Sequence, residues 1–230
     1  MTTHFHLVDL RKVPTWEEAP LHLKGRLCPR QLERAQALRR PDIRQQRLQQ
    51  QLALFDLLDY YLPEDVRPIS INRSEAGKPA LTHHPKWHFN ISHSGHWLAL
   101  LLSDACAVGV DLEVPSKPRP LLAIAQQYFS EQEFARLQTL ERDQLQSEFY
   151  RLWTLKEAFF KARGTGIAEG LGKIDFTHSQ TPQSEQNWPL QHWQFYHQSL
   201  THEDETLYLA AVFGRAETLP KLRTDYPIAG

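Results

Sequence analysis

The chain has 230 residues, enough for one large domain or two small ones. Hydrophobic residues make up 41% and charged residues 23%, a composition that is ordinary for a globular protein. The formal net charge is −1, which gives no general reason to expect nucleic acid or a membrane as the partner, and no apolar run approaches the ~20 residues of a membrane span.

The first predicted elements are a strand at residues 5–10, a basic helix at 29–38 and a second helix at about 43–62. Between Lys24 and Arg47 the chain has eight basic and two acidic residues, a surplus that could receive phosphates or an acidic protein.

Three short strands are predicted next, at residues 88–91, 97–102 and 108–114. Because the connections between them are short, we expect three antiparallel neighbours. A proline-rich loop at 115–120 then marks a seam in the chain.

The rest of the chain returns to helices and then strands, so the fold class is α+β. Ser130 and Glu133 form a capping box that opens a helix, and a longer helix at about 144–163 ends at Gly164. Further strands are predicted at 174–176, 193–196 and 207–213, and residues 177–189 are polar and predicted to form an exposed loop.

The cysteines and the first residues indicate the compartment. Cys28 and Cys106 are far apart and match no metal-ligand spacing, which favours a reduced setting. Residues 1–6 lack a basic region followed by a long apolar run, so we expect no signal peptide and a cytoplasmic protein.

Asp111 and Glu113 lie on one face of the strand at 108–114, because side chains alternate along a strand. Neighbours on one face are about 6–7 Å apart, so both carboxylates can reach one hard cation such as Mg²⁺. Taken alone, the pair is better explained as the solvated outer face of an antiparallel strand.

The helix at 144–163 carries a second group of charges. Glu157 shares a face with Trp153 and Lys161, and, taken alone, this spacing is better explained by a surface ion pair between Glu157 and Lys161. Lys156 instead falls within a stripe of large apolar residues, so it either extends to solvent or meets a buried negative group.

Two turns supply weaker signals. Ser92 and His93 offer hydrogen-bond donors to a phosphate, or form an ordinary polar hairpin loop, and no GxSxG elbow supports a hydrolase. Lys78 lies in a Gly-Lys-Pro turn, which, taken alone, is better explained as a plain solvated turn. His83, His84 and the other histidines match no zinc pattern.

The order of these motifs is more specific than any one of them. GKP at 77–79, FNISHSG at 89–95, GVDLE at 109–113 and WTLKEAFFKARGTG at 153–166 together resemble the Sfp-type 4′-phosphopantetheinyl transferases. The likeness covers residues 77–166 and is looser outside them. It implies two similar α+β halves, 1–114 and 115–230, related by a pseudo-two-fold, with coenzyme A in the cleft between them.

The resemblance also implies roles for particular residues. Magnesium would be bound by Asp111, Glu113 and Glu157, and coenzyme A by the following set: Lys78, Pro79, Ser92, His93, Asp111, Lys156 and Lys161. Its 3′-phosphate end would be held by basic residues of the N-terminal region, for which Arg34, Arg40, Arg44 and Arg47 are the candidates and Arg47 the preferred one.

The implied reaction is magnesium-dependent transfer of phosphopantetheine from coenzyme A to a serine of an apo carrier protein, with release of 3′,5′-ADP. Asp111, Glu157 and Lys161 would be catalytic, and either Glu157 or a metal-bound water would take the serine proton. The resemblance further implies a monomer that activates carriers of fatty acid, polyketide or nonribosomal peptide synthesis.

Residues 115–129 could provide an apolar surface for the carrier protein. Leu121, Leu122, Tyr128 and Phe129 are the candidates, and the alternative is that they fill the core.

Two other functions fit part of the pattern. Clustered carboxylates and a basic region also occur in magnesium-dependent nucleases, but a second metal cluster is missing and the basic residues are few for following a nucleic-acid backbone. A coenzyme A-binding protein without activity would be expected to have a degraded metal site, whereas Asp111, Glu113 and Glu157 are all present.

Overall fold

The computed structural model describes residues 2–25, 29–167, 170–178, 182–184, 188–214 and 220–225. Arg26 and Cys28 lie outside the described residues, as does part of the predicted loop at 177–189. The helices are α1 Leu21–Lys24, α2 Pro29–Gln36, α3 Pro41–Tyr61, α4 Leu121–Tyr128, α5 Glu131–Gln138 and α6 Arg142–Arg163. The strands are β1 Thr3–Asp9, β2 Ile71–Arg73, β3 Pro79–Leu81, β4 His88–Ser94, β5 Trp97–Ser103, β6 Val108–Glu113, β7 Ile174–Asp175, β8 Gln183–Ser184, β9 Trp193–His202, β10 Glu205–Gly214 and β11 Leu222–Arg223.

Two sheets form the centre of the molecule. The first has the order β11-β1-β5-β4 and the second the order β6-β10-β9; β2 pairs with β3, and β7 with β8. Strands β5 and β10 are buried on both faces. Because side chains alternate along a strand, each of these strands contributes to one apolar cluster on one face and to a second cluster on the other. One cluster lies between the sheets and joins Leu101 of β5 to Leu209 of β10.

The outer faces of the sheets are covered by the two long helices. Leu98 and Leu100 of β5 pack with Leu52 and other residues of α3, whereas Ala210 of β10 packs with Phe159 and other residues of α6. The described chain is therefore layered helix, sheet, sheet, helix, which agrees with the predicted α+β class. The pseudo-two-fold and the halves 1–114 and 115–230 stay predictions.

The expectation of three antiparallel neighbours is wrong for the third strand. Strands β4 and β5 are antiparallel neighbours, but β6 pairs with β10, a strand about 100 residues further along the chain. The physical reason is that Val108, Val110 and Leu112 of β6 face the apolar side of the first sheet, so β6 packs on that sheet instead of extending it.

The edge strands β4 and β6 meet where the two sheets come together. Asn90 Oδ1 accepts a hydrogen bond from the amide of Val110 at 3.0 Å, and Ser94 Oγ accepts one from the amide of Val114 at 2.9 Å. Side chains of one edge thus satisfy backbone groups of the other, as an edge strand requires. This contact brings the FNISHSG and GVDLE motifs side by side.

The ends of the helices follow from local sequence. Helix α3 begins with Pro41, and Asp42 lies in its first turn. The predicted capping box of Ser130 and Glu133 is present, and Gly164 ends α6 in the left-handed conformation at φ 73°. Among the described residues, no helix combines the length and apolar character required to cross a membrane.

Candidate active site

The predicted acidic residues lie around one cavity of about 320 Å³, which we call the acid cavity. Strand β4, strand β6 and helix α6 form its walls. It is lined by Ile91, Ser92, His93, Asp111, Leu112, Glu113, Trp153, Glu157 and Lys161. Residues 65 positions apart in the sequence, Ser92 and Glu157, therefore share one cavity.

A glycine allows β6 and α6 to approach this closely. A β-carbon on Gly109 would lie 2.0 Å from the carbonyl oxygen of Ala158 and 2.4 Å from the amide nitrogen of Ala162. Only a residue without a side chain fits there, so α6 contacts β6 at Gly109. Because Asp111 follows Gly109 by two residues, this contact also determines which part of α6 faces Asp111 and Glu113. Because side chains alternate along a strand, the face of β6 that packs on α6 contains Gly109, Asp111 and Glu113.

Asp111 is the centre of a buried hydrogen-bond network. Its Oδ1 accepts a hydrogen bond from Ser92 Oγ at 2.9 Å and forms an ion pair with Lys161 Nζ at 2.6 Å. Lys161 also donates to Ser92 Oγ at 3.1 Å. The second carboxylate oxygen, Oδ2, is buried and has no hydrogen-bond partner within the described part of the chain.

The other two carboxylates are affected by burial and by each other. Burial, followed by the charge of Asp111, raises the pKa of Glu157 to about 7. The same two causes, in the same order, raise the pKa of Glu113, and the charges of Arg119 and Lys161 and then a hydrogen bond from Trp153 act against them. Each carboxylate is thus less stable as an anion, first because it is buried and second because other negative charge is near.

These observations fit a divalent cation. Asp111 has a buried oxygen without a partner, and Glu113 and Glu157 have raised pKa values. A cation bound between these three carboxylates would stabilise their charged forms, and carboxylate oxygens are the ligands that Mg²⁺ prefers. Among the residues that the structure describes, however, no three His, Cys, Asp or Glu side chains already stand in a metal-binding arrangement. Magnesium therefore remains a proposal.

A cluster of basic residues, His93, Arg47 and Arg73, lies beside the acid cavity. Partial burial, and then the charges of Arg47 and Lys161, lower the pKa of His93. Burial and then the charge of Arg73 lower the pKa of Arg47, whose guanidinium contacts Gln50 Oε1 at 3.2 Å. The structure thus associates the predicted Arg47 and His93 with Arg73, which sequence reasoning did not select. The sequence signal that could have indicated Arg73 is its position four residues before Gly77, the first residue of the Gly-Lys-Pro turn.

The other predicted arginines have different surroundings. Arg40 is exposed and paired with Asp42, and Arg44 donates to the carbonyl oxygen of Leu38 at 3.1 and 2.8 Å. Arg34 is exposed on α2. Their proposed contact with coenzyme A stays a prediction.

A second cavity of about 280 Å³, which we call the turn cavity, shares Ile91, Glu157 and Lys161 with the acid cavity. Lys78 and Pro79 line it, together with Arg73 and the residues that follow α6. Lys78 is half-buried, and its ammonium group donates to the carbonyl oxygens of Val108 and Ala162. Burial lowers the pKa of Lys78 to about 8.

The placement of Lys156 contradicts its predicted contact with phosphate. Its side chain is fully buried, and Nζ forms an ion pair with Glu133 Oε2 at 2.7 Å and donates to the carbonyl oxygen of Leu171 at 2.8 Å. Lys156 therefore meets a buried negative group, which was one of its two predicted alternatives. It points into the core while Glu157, the next residue, faces the cavity, because consecutive helical residues are about 100° apart.

The chain matches two family descriptions. Residues 107–219 match the 4′-phosphopantetheinyl transferase superfamily, and residues 24–104 match the N-terminal region of a 4′-phosphopantetheinyl transferase. The two matches are consecutive and do not overlap, so they cover most of the chain.

Individual relatives agree with this result. The chain is similar to 4′-phosphopantetheinyl transferase Sfp of Bacillus subtilis, at 38% identity over 45% of each chain. It is also similar to 4′-phosphopantetheinyl transferase psf-1 of Bacillus pumilus, at 40% identity over 43% of this chain and 41% of the relative. The match to 4′-phosphopantetheinyl transferase AcpT of Escherichia coli K12 has 41% identity over 45% of this chain and 53% of the relative. The matches thus span about half the length of these relatives.

Proposed function

The chain belongs to the 4′-phosphopantetheinyl transferase superfamily, and on that premise we propose that it transfers the phosphopantetheine arm of coenzyme A to a serine hydroxyl of a carrier protein. The observation that carries the proposal is the gathering of Asp111, Glu113, Glu157 and Lys161 around one cavity. The motifs on β4, β6 and α6 thus line the same cavity.

The transfer forms a bond between the serine oxygen and the pantetheine-bearing phosphorus of coenzyme A. The bond from that phosphorus to the bridging oxygen breaks, and 3′,5′-ADP leaves with the electron pair. The chain has to hold the pyrophosphate, orient the serine and accept its proton.

Asp111, Glu113 and Glu157 are the residues that would hold a Mg²⁺ ion. Such an ion would supply neutralisation of the pyrophosphate charge. Lys161 lies 2.6 Å from Asp111 and is half-buried, so its ammonium group can face a phosphate from the same cavity. Arg47, Arg73 and His93 would bind the remaining phosphate charge of coenzyme A.

Glu157 is the residue that we assign to accept the serine proton. Its side chain lines the acid cavity together with Asp111 and Lys161, so its carboxylate can face a hydroxyl that enters there. A carboxylate has two oxygens, so one can face a cation while the other accepts a proton.

The carrier protein would bind in a groove of about 560 Å³ beside the acid cavity. Exposed Lys117, Arg119 and Arg142 line this groove and give it positive charge that suits an acidic partner. A smaller cavity of about 160 Å³ contains both Arg119 and Glu113 and so lies between the groove and the acid cavity.

The apolar candidates for docking divide between two environments. Leu121 and Phe129 pack against the core around α6, whereas Leu122 is 38% and Tyr128 40% exposed. Leu122→Asp should therefore raise the KM for the carrier and leave the Kd of coenzyme A unchanged. Tyr60→Asp, an exposed residue on α3, is the control, and an unchanged carrier KM in Leu122→Asp would exclude the groove.

Intact-mass spectrometry tests the function itself. An apo carrier protein incubated with the chain, coenzyme A and Mg²⁺ should gain one phosphopantetheine, and EDTA or Asp111→Ala should abolish the gain. Asp143→Ala removes an exposed carboxylate at the start of α6 and is the matched control.

Two results would overturn the proposal. Acyl and peptidyl carriers that all stay apo while calorimetry shows coenzyme A binding would indicate a binding protein. Degradation of nucleic acid with Mg²⁺ would indicate a nuclease. The cytoplasmic location, the monomeric state and the carrier's pathway stay predictions.

A further inference from the structure

Lys78 projects from a tightly hydrogen-bonded turn between β2 and β3. The amide of Ser74 donates to the carbonyl oxygen of Lys78 at 2.9 Å, and the amide of Gly77 donates to the carbonyl oxygen of Ser74 at 2.8 Å. Ser74 Oγ also accepts from the amide of Lys78 at 3.1 Å, and Arg73 donates to the carbonyl oxygen of Gly77 at 2.8 Å. The backbone of Lys78 is thus well fixed before its side chain begins.

The ammonium group of Lys78 joins two elements that are not neighbours in sequence. It donates to the carbonyl oxygen of Val108, the first residue of β6, at 3.3 Å and to that of Ala162, in the last turn of α6, at 2.5 Å. The aliphatic stem lies over the glycine that ends α6, since a β-carbon on Gly164 would be 3.0 Å from Lys78 Cδ.

The positions of the two carbonyl groups, of Ala162 and of Val108, explain why a cation binds between them. Carbonyls in the last turn of a helix lack an intrahelical partner and carry the negative end of the helix dipole. Val108 precedes Gly109, whose missing side chain allows β6 to lie directly against the backbone of α6. Lys78 therefore bridges β6 and α6 beside this close contact, a place that we call the β6–α6 seam.

The seam controls the geometry of the acid cavity. Asp111 is three residues along β6 from Val108, and Lys161 immediately precedes Ala162 on α6. Any opening between Val108 and Ala162 would change the 2.6 Å contact of Lys161 with Asp111 and move Glu157 as well.

We propose that Lys78 is a positioning residue that fastens the last turn of α6 to the start of β6, and that its ammonium group does not bind coenzyme A. This role differs from the ligand contact that the motif implies, and it rests on the proposed function only for its effect on the transfer rate. The charge available to a ligand of the turn cavity comes instead from Arg73 and Lys161.

Lys78→Met tests the proposal, because methionine keeps an unbranched stem over Gly164 and removes the N–H donors. Hydrogen exchange of the backbone amides in the last turn of α6 should become faster. The kcat should fall by about 10- to 100-fold, because small displacements of reacting groups have effects of that size. The Kd of coenzyme A, measured by calorimetry, should change much less than kcat, because Arg47, Arg73 and His93 would still bind its other phosphates.

Lys86→Met is the matched control, since Lys86 is an exposed lysine between β3 and β4, and it should leave all three readouts unchanged. If Lys78→Met does not fold, Lys78→Arg keeps a cation but shifts its donors relative to the two carbonyls, and the same changes are expected.

A weakened Kd of coenzyme A with unchanged exchange in α6 would overturn the proposal and restore a ligand contact for Lys78. The exchange measurement needs no substrate. Failure of wild-type transfer would therefore count against the proposed function alone, whereas unchanged exchange in Lys78→Met would count against the positioning role alone.

Discussion

Gly109 of β6 faces the backbone of α6 so closely that a β-carbon would lie 2.0 Å from the carbonyl oxygen of Ala158. Real β-carbons do not approach an oxygen to that distance, so any other residue has to push the helix away. Glu157 precedes Ala158, and Asp111 is two residues from Gly109. The contact therefore holds two catalytic candidates in register across different elements.

Gly109→Ala should separate α6 from β6. Overpacking at a buried contact is expected to lower the free energy of unfolding by about 1–3 kcal/mol, and the misplaced carboxylates should lower kcat by at least about tenfold. Thermal unfolding and the mass-spectrometric transfer assay measure the two effects. Gly25→Ala is the control, because a β-carbon there would meet its nearest atom at an ordinary 3.4 Å. Full activity in Gly109→Ala would show that the close approach does not set the site.

Lys156 and Lys161 lie on the same helix and should differ in what they support. Lys156→Met leaves the buried Glu133 carboxylate without its cation, so the free energy of unfolding should fall by about 3–5 kcal/mol. The folded fraction should still bind coenzyme A with an unchanged Kd. Lys161→Met should lose the transfer activity and less of the free energy of unfolding, because its ion pair is partly exposed. A weaker Kd in Lys156→Met would contradict its placement in the core.

Arg47 and Arg40 are both basic residues of the N-terminal region, but we expect only Arg47 to bind coenzyme A. Arg47 is associated with Arg73 and His93, so Arg47→Gln should raise the Kd of coenzyme A by about tenfold or more, the usual effect of losing a hydrogen bond to a charged group. Arg40 is exposed and already paired with Asp42, so Arg40→Gln should leave the Kd unchanged. Calorimetry measures both, and equal effects would mean that the basic region acts only through its overall charge.

Folding stability should depend on pH through His6. Burial, and then the charge of Arg223, lower the pKa of this histidine to about 4. The unfolded chain takes up the proton near pH 6.5, so the contribution of His6 is complete above that pH and is lost as the pH falls towards 4. The loss should reach about 3 kcal/mol, which urea unfolding at several pH values measures.

His6→Gln should flatten the pH dependence, because glutamine keeps a hydrogen-bonding group for Tyr61 Oη but does not titrate. His22→Gln replaces an exposed histidine and should change nothing. If His6→Gln keeps the wild-type dependence between pH 6.5 and pH 4, other groups dominate acid unfolding.

Much of the site could be predicted because short-range geometry determines it. Alternation along a strand places Asp111 and Glu113 on one face, and helical spacing places Trp153, Glu157 and Lys161 on another. Likewise, the capping box of Ser130 and Glu133 and the glycine that ends α6 depend only on residues within one turn. For these residues the local sequence carries all the required information.

The tertiary structure decided which of these surfaces meet. Strand β6 pairs with β10 about 100 residues away and not with its sequence neighbour β5, because the sequence specifies an apolar face but not the surface that covers it. The partners of Lys78 and Lys156 were likewise undetermined, since a long flexible side chain reaches several positions and the packing of whole elements selects among them. By itself, the sequence determined which residues are candidates for the chemistry, and the packing of β4, β6 and α6 decided which of them line one cavity.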